Sequence, residues 1–174
     1  MSGTPLEIEY KYLIRFPDES VLLRQPGCTR VEIDQDYLLT DGSFTSRVRR
    51  WTENGETRYY HTVKKRISRQ TAEEYEELVE PCVYAELLLQ KDPHLRTIRK
   101  VRYRIPYDHH LMEIDIYPFW SRQAVLEVEI TSENESVSLP PWIEVLRDVT
   151  GEKAYKNVAL AGNVPAEESA LLKE

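Results

Sequence analysis

Polar and apolar residues alternate along most of the chain, and this period of two is typical of β-strands. The alternation begins with Leu6-Glu7-Ile8-Glu9-Tyr10-Lys11 and ends with Leu126-Glu127-Val128-Glu129-Ile130. Eight strands are predicted, at residues 6–14, 31–40, 44–51, 57–67, 73–79, 97–106, 111–117 and 124–132. Breaks at Asp41-Gly42, Asn54-Gly55 and Asp108-His109-His110 predict tight hairpins between neighbouring strands. These hairpins favour an antiparallel meander.

Helices are predicted only between and after the strands. Short ones are expected at residues 17–25 and 81–90. Pro140-Pro141 precedes apolar residues at helical spacing, which predicts a helix over 140–149, and a second helix is predicted over 152–161. Because the chain contains no repeat, low-complexity tract or linker, we expect one domain over residues 1–162. A polar tail over 163–174 is expected to fray.

One face of the predicted strands is charged, and the sign of the charge is sorted by strand. Its acidic members are Glu7, Glu9, Glu74, Glu76, Glu113, Asp115, Glu127 and Glu129, and its basic members are Lys11, Arg47, Arg49, Lys64, Arg66, Lys100, Arg102 and Arg104. Residues i and i+2 of a strand lie about 6.6 Å apart on one face, so like charges repel unless something lies between them. The sorting suits a mostly β fold, an eight-stranded antiparallel β-barrel with a polar interior and peripheral helices.

The composition of the chain narrows the range of partners and locations that the protein can have. The 174 residues carry a formal net charge of −7, which disfavours nucleic acid as a partner because phosphate backbones repel an acidic protein. The charged face holds eight acids and eight bases, so the whole excess is expected on the outer surface. No apolar run approaches the roughly 18 residues of a membrane helix. The cysteines, Cys28 and Cys82, lie far apart, which suits inert thiols in a reducing cytoplasm.

The two kinds of charge indicate one kind of ligand. Paired carboxylates are hard oxygen ligands that suit Mg²⁺ or Mn²⁺ rather than zinc. Arginine and lysine side chains are the usual partners of phosphate oxygens. A polyphosphate bound with a divalent cation would satisfy both sets, and the matching chemistry is phosphoryl transfer to water.

An ordered series of motifs resembles the CYTH, or triphosphate tunnel metalloenzyme, superfamily. The series begins with the ExExK signature Glu7-Ile8-Glu9-Tyr10-Lys11 and ends with Tyr155-Lys156-Asn157. Between them stand Gln35-Asp36-Tyr37-Leu38, Arg47-Val48-Arg49, Thr62-Val63-Lys64-Lys65, Glu74-Tyr75-Glu76, Arg99-Lys100-Val101-Arg102-Tyr103, Glu113-Ile114-Asp115-Ile116 and Leu126-Glu127-Val128-Glu129. The resemblance covers nearly the whole chain and is closest to the single-domain bacterial members. It implies the same eight-stranded barrel and hydrolysis or rearrangement of triphosphates with a divalent metal.

The resemblance also implies roles for the residues that match. Metal-side carboxylates would be Glu7, Glu9, Glu113, Asp115, Glu127 and Glu129. Phosphate-binding residues would be Lys11, Arg47, Arg49, Lys64, Arg66, Lys100, Arg102 and Lys156, with Lys156 at one tunnel mouth. Catalytic residues would be Glu74, Glu76 and Lys11, with Glu74 and Glu76 either holding a second metal or orienting the attacking water. Only the alternation favours Lys64 and Arg66 over Lys65, and Arg104 fits either the tunnel or solvent.

Several functions fit these residues. Hydrolysis of tripolyphosphate to pyrophosphate and phosphate is favoured because no extra segment is evident that would recognise a base or a thiazolium. A class IV-type adenylate cyclase and a nucleoside or thiamine triphosphatase are the enzyme alternatives, and a non-catalytic polyphosphate- or nucleotide-binding module is a further one. The implied partner is a small polyanionic substrate with Mg²⁺ or Mn²⁺, without nucleic acid or membrane. A homodimer is one candidate assembly.

Overall fold

The computed structural model describes residues 5–173, so Met1–Thr4 and Glu174 of the predicted domain and tail lie outside the described residues. The strands are β1 (Leu6–Arg15), β2 (Thr29–Tyr37), β3 (Thr45–Glu53), β4 (Glu56–Arg66), β5 (Thr71–Val79), β6 (Ile98–Tyr107), β7 (His110–Ile116), β8 (Gln123–Glu129) and β9 (Val145–Asp148). The α-helices are α1 (Glu19–Leu23), α2 (Pro81–Leu88) and α3 (Asn157–Gly162), and 3-10 turns cover Lys153–Tyr155 and Ser169–Leu171.

The first eight strands form a closed antiparallel barrel, which confirms the predicted fold class. The strand order is β5-β4-β3-β2-β6-β7-β8-β1, and β1 returns to pair with β5. That closing seam is short, from Leu6 opposite Glu73 to Ile8 opposite Thr71. The β3–β4 turn confirms the hairpin prediction, since Asn54 and Gly55 both have positive φ, as a two-residue type I′ turn requires.

Apolar side chains pack outside the barrel and at one of its ends, which leaves the interior to the charged residues. On the outer face of β1, β6, β7 and β8, buried residues such as Ile14, Ile114 and Leu126 pack together, with Trp142 against them. A second cluster includes Leu13 and Val125, which continue the inner faces of β1 and β8. Tyr155 and Leu160 pack in this cluster and cover that end of the barrel.

The helix predicted over 140–149 is wrong, because Val145–Asp148 form β9 instead. The apolar spacing from Trp142 to Val149 is compatible with a helix, but the barrel offers this segment an unpaired strand edge. The pairing of β1 with β5 reaches only to Ile8, so the later edge of β1 is left open. β9 pairs with that edge at Tyr12, Leu13 and Ile14 and satisfies its backbone groups.

The helix predicted over 152–161 is interrupted. A 3-10 turn ends at Tyr155, Lys156 is extended with φ −72° and ψ 144°, and α3 then begins at Asn157. Tyr155 and Asn157 are both buried. Residues i and i+2 of an α-helix point to nearly opposite sides, so a continuous helix would expose one of them.

The C-terminal segment lies on the barrel rather than fraying. The indole of Trp120 donates to the carbonyl oxygen of Pro165 over 3.0 Å, and Glu167 accepts hydrogen bonds from the backbone amides of Ser121 and Arg122. Leu171 is completely buried. Among residues 5–173, no helix has the length and apolar character that crossing a membrane requires.

Candidate active site

The barrel interior contains a cavity of about 340 Å³ lined by charged residues. Every member of the predicted charged face lines it except Lys100 and Asp115, which are buried in the wall. Arg104 and Lys156 belong to the lining. Lys64 and Arg66 also line the cavity, whereas Lys65 lies on the exposed outer face, so the alternation assigned these three side chains to the correct sides.

Carboxylates from β1, β7 and β8 face one another across the cavity wall. Glu9 lies opposite Glu129 in the β1–β8 ladder, and Glu113 lies opposite Glu127 in the β7–β8 ladder. Directly opposed side chains of one charge destabilise a sheet. Burial, together with the charges of Glu127 and Glu7, raises the pKa of Glu9 well above its ordinary value. Burial and Glu113 also raise the pKa of Glu129. This wall therefore carries an excess of negative charge.

Two carboxylates of this region already contact cations. Lys64 donates to Glu7, and the Lys11 Nζ lies 3.3 Å from a carboxylate oxygen of Glu127. Burial works to raise the pKa of Glu7, but the Lys64 ammonium outweighs it and holds that pKa well below the usual range. For Glu127, Lys11 and other cations likewise outweigh burial and lower the pKa. Both groups are ionised at neutral pH.

The opposite wall, formed by β3, β4 and β5, carries Arg47, Arg49, Lys64 and Arg66. An Arg49 NH2 group donates to Glu76 over 2.6 Å, and the Thr62 hydroxyl donates to the same carboxylate over 2.9 Å. Arg47 lies 3.9 Å from Glu74. Burial and the neighbouring Glu7 raise the pKa of Glu74 to about 7. Glu74 can therefore exist in either protonation state near neutral pH, as a group that accepts a proton from water must.

Lys100, Arg102 and Asp115 form an ion network inside the wall. The Asp115 carboxylate is completely buried and accepts hydrogen bonds from Lys100 Nζ at 2.7 Å and from Arg102 at 2.7 and 2.9 Å. Burial lowers the pKa of Lys100 to about 8, despite Asp115 beside it. Asp115 directs both oxygens to these cations, and Arg102 spans from Asp115 to Glu113 in the cavity lining.

The cavity lining also contains uncharged residues that the sequence analysis did not assign to the site. Among them are Tyr37, Trp51 and Asn157. Tyr37 accepts a hydrogen bond from Gln35, and Asn157 accepts one from the Tyr117 hydroxyl. Trp51 follows Arg47 and Arg49 at the same alternation, so its inward position was available from the strand parity that placed the arginines.

The carboxylate wall suits a hard divalent cation. Its donors are carboxylate oxygens, which Mg²⁺ and Mn²⁺ prefer, and carboxylates stand directly opposite one another at Glu9–Glu129 and Glu113–Glu127. Within residues 5–173, no three carboxylate, imidazole or thiol side chains converge into a ready metal-binding group. Glu7 and Glu127 instead contact lysines. Glu7, Glu9, Glu129 and Glu127 are the residues that fit a cation here.

Comparison with known proteins gives matches along most of the chain. The inorganic triphosphatase of Nitrosomonas europaea is 33% identical over 168 residues, which cover 91% of this chain and 99% of that protein. The crystal structure of an inorganic triphosphatase superposes with a TM-score of 0.56 at 29% identity, covering 95% of this chain and 99% of the other.

A protein from Pyrococcus horikoshii OT3 shares the fold with a TM-score of 0.56 at 16% identity, covering 74% of this chain and 80% of its own. No protein-family profile matches the sequence.

Proposed function

This chain belongs to the CYTH superfamily, and we propose that it is an inorganic triphosphatase that hydrolyses tripolyphosphate to pyrophosphate and phosphate with Mg²⁺ or Mn²⁺. The observation that carries this proposal is the closed tunnel, in which a carboxylate wall faces a wall rich in lysine and arginine. A polyphosphate chain needs many cationic donors, and a divalent cation that accompanies it needs oxygen ligands. The tunnel supplies both within one cavity of about 340 Å³.

The residues divide into groups by position. We assign Glu7, Glu9, Glu127 and Glu129 to the cation, with Glu113 beside them. Asp115 is assigned an indirect role through Arg102, because both of its carboxylate oxygens already accept hydrogen bonds from that side chain. Lys11, Arg47, Arg49, Lys64, Arg66, Arg102 and Lys156 are assigned to phosphate oxygens, since all of them line the cavity. Lys100 is assigned to holding Asp115 and Arg102 in place from behind.

Hydrolysis requires water to attack a terminal phosphorus while the bridging P–O bond breaks, and the attacking water must lose a proton. A divalent cation, when bound, would neutralise charge on the phosphate oxygens and increase the acidity of water. Glu74, with a pKa of about 7, is the residue proposed to accept that proton, and Glu76 is proposed to orient the water. The Lys11 ammonium, on the carboxylate wall, is proposed to stabilise the negative charge of the leaving pyrophosphate.

The protein surface supports a cytoplasmic location and a small-molecule partner. Cys28 and Cys82 are free thiols, which suits a reducing compartment. Acidic and basic members of the charged face are equal in number and lie inside the barrel, and Lys156 adds one more cation to the lining, so the negative excess of the chain belongs to the outer surface and disfavours nucleic acid. Whether two copies associate is tested by measuring the molar mass in solution.

A substrate panel tests the proposed function. Purified protein is incubated with tripolyphosphate, ATP or thiamine triphosphate, each with Mg²⁺ or Mn²⁺, and phosphate release is measured. We expect tripolyphosphate to be cleaved with a kcat/KM at least about tenfold above that of either organic triphosphate, and excess chelator to abolish turnover. Cyclic AMP formation from ATP, or binding without turnover of any substrate, would contradict the proposal.

A matched pair of lysine variants tests whether the phosphates bind inside the tunnel. Lys64→Ala removes a cation inside the tunnel, and we expect KM for tripolyphosphate to rise about ten- to hundredfold, the usual value of a charge-assisted contact. Lys65→Ala removes the same charge from the outer face and should leave KM within about twofold. Initial-rate kinetics at fixed ionic strength measure both. Equal effects of the two substitutions would show that overall charge, rather than the tunnel, binds the substrate.

A further inference from the structure

Trp51 occupies an unusual position on the inner face of β3. It lines the tunnel beyond Arg49 on the same strand, and it stands opposite Ile33 in the β2–β3 ladder. Two guanidinium groups lie over its indole ring, that of Arg49 at 5.6 Å and that of Arg104 at 5.7 Å from the ring centroid. Arg49 belongs to β3 and Arg104 to β6, so the ring joins side chains from strands that are separated by β2.

The strand between them lies close to both arginines but does not hold them. In its ladders Gln35 stands opposite Arg49 and Thr29 opposite Arg104, while Ile33, opposite Trp51, is apolar and almost completely buried. The side-chain oxygen of Gln35 has no hydrogen-bond partner among residues 5–173, so it does not bind Arg49. The negative face of an aromatic ring attracts a guanidinium and needs no hydrogen bond to do so. Trp51 thus contacts both arginines from one side chain.

The other contacts of both arginines leave part of each guanidinium group without a partner in the part of the chain that the structure describes. The Arg49 Nε is buried and has no hydrogen-bond partner among residues 5–173, although an NH2 group donates to Glu76. The Arg104 side chain is 37% exposed and reaches Glu113 only at 3.3 Å. Without the indole, the ion pairs of these guanidinium groups among residues 5–173 would be Arg49 with Glu76 and Arg104 with Glu113.

The indole itself is fixed on two further sides. Its Nε1 lies 3.5 Å from a carboxylate oxygen of Glu53, and the ring of Tyr60 meets it edge-on, with centroids 6.0 Å apart and an interplanar angle of 72°. This edge-to-face arrangement is a favourable one for aromatic pairs. A ring held in this way is a rigid support for flexible arginine side chains.

We propose that Trp51 is a positioning residue for substrate binding, which holds Arg49 and Arg104 toward the phosphate chain by cation–π contacts. The inference rests on the proposed function, because it takes the substrate to be a polyphosphate bound in this tunnel. Trp51 acts through the two arginines and does not itself accept or donate a proton. Its removal should therefore weaken binding of tripolyphosphate without changing the chemical step.

Steady-state kinetics of three variants test this role. Trp51→Leu keeps an apolar side chain but removes the ring, and we expect KM for tripolyphosphate to rise about tenfold while kcat stays within about twofold. Trp51→Phe keeps a ring and should recover most of the lost affinity. Trp142→Leu is the matched control, because Trp142 packs on the outside of the barrel. It should leave KM and kcat within about twofold at a temperature well below its Tm.

A double-mutant cycle separates positioning from simple packing. In a background with Arg49→Ala and Arg104→Ala, Trp51→Leu should raise KM by less than about twofold, because the residues through which it acts are gone. The same tenfold rise in that background would overturn the inference, and so would an unchanged KM in Trp51→Leu alone. A loss confined to ATP would overturn it as well, because the ring would then contact an organic group.

The outcomes distinguish this inference from the function on which it rests. If the unsubstituted protein cleaves no triphosphate, the proposed function fails. If it cleaves tripolyphosphate and Arg49→Ala raises KM, but Trp51→Leu changes nothing, only the positioning role of Trp51 fails. Thermal unfolding of each variant shows whether the tunnel is still folded at the assay temperature.

Discussion

Replacing Glu9 with glutamine is expected to lower kcat about a thousandfold while making the metal-free protein more stable. The loss of activity follows because Glu9 lies in the carboxylate wall, opposite Glu129 and two residues before Lys11 on the same face of β1. A neutral amide binds a divalent cation more weakly than a carboxylate does, so the charge of the reacting phosphates is no longer neutralised. The gain in stability follows because burial, together with the charges of Glu127 and Glu7, raises the pKa of Glu9 well above its ordinary value, and an uncharged amide avoids that cost.

Two measurements check this prediction. Phosphate release at saturating tripolyphosphate gives kcat, and thermal unfolding with and without Mn²⁺ gives Tm. We expect Glu9→Gln to raise Tm without metal and to reduce the upward shift that Mn²⁺ causes in the unsubstituted protein. Glu77→Gln is the control, because Glu77 is an exposed residue on the outer face of β5. Normal activity of Glu9→Gln would remove Glu9 from the proposed cation site.

The second large effect concerns folding rather than catalysis. Asp115→Asn is expected to lower the free energy of unfolding by about 3–5 kcal/mol, the usual cost of removing one partner of a buried ion pair. The carboxylate is completely buried and compensates Lys100 and Arg102, whose side chains are only 1% and 8% exposed. An uncharged amide would remove the carboxylate that pairs with Lys100 inside the wall and would leave Arg102 with Glu113 and Glu127 alone.

Urea denaturation measures this loss as a lower midpoint with an unchanged m-value. Combining Asp115→Asn with Lys100→Met should recover part of the stability, because the uncompensated ammonium is then removed. Asp34→Asn is the control, since Asp34 and Arg99 form an exposed pair at 3.8 Å that should be worth less than about 1 kcal/mol. If Asp115→Asn retains its stability but loses the Tm shift caused by Mn²⁺, Asp115 is a cation ligand, as the family resemblance implies.

The barrel strands could be predicted because alternation and turn chemistry agree along the chain. The charges of β6 and β7 fall on one face and their apolar residues on the other. A shift of the strand pairing by one residue would turn the charged side chains toward the apolar packing outside the barrel. At Asn54-Gly55, both residues tolerate the positive φ of a two-residue turn. These signals are local, and the sequence contains them without reference to the rest of the fold.

β9 and the break at Lys156 could not be predicted, because their causes are not local. Val145–Asp148 form a strand only because β1 extends beyond the end of its pairing with β5. Lys156 is extended because the barrel end buries residues on both sides of it. In both places, tertiary contacts override a helical pattern that is present in the sequence.

The sequence predicts which side chains of the candidate site point into the barrel, but not which of them reach the cavity. Parity assigns the charged residues to the barrel interior, yet it cannot distinguish Lys100 and Asp115, which are bonded to each other in the wall, from Arg102, which reaches the cavity. That difference depends on side-chain contacts between strands. From the sequence, Trp51 is interpreted as a packing residue, although its parity matches that of Arg49 and places it inside the barrel.

The pairing of β1 also affects how the chain folds. β1 pairs with β8 through contacts such as Glu9 opposite Glu129, which are far apart in sequence, and it pairs with β5 at the seam. Closing such long loops is slow, so we expect β-hairpins of the middle strands to form first and the barrel to close late, on the millisecond-to-second timescale typical of non-local β-folds. During synthesis, β1 cannot pair with β8 until β8 has emerged from the ribosome. Glu9 and Glu129 meet only in that last step, so their repulsion acts on barrel closure rather than on the earlier hairpins.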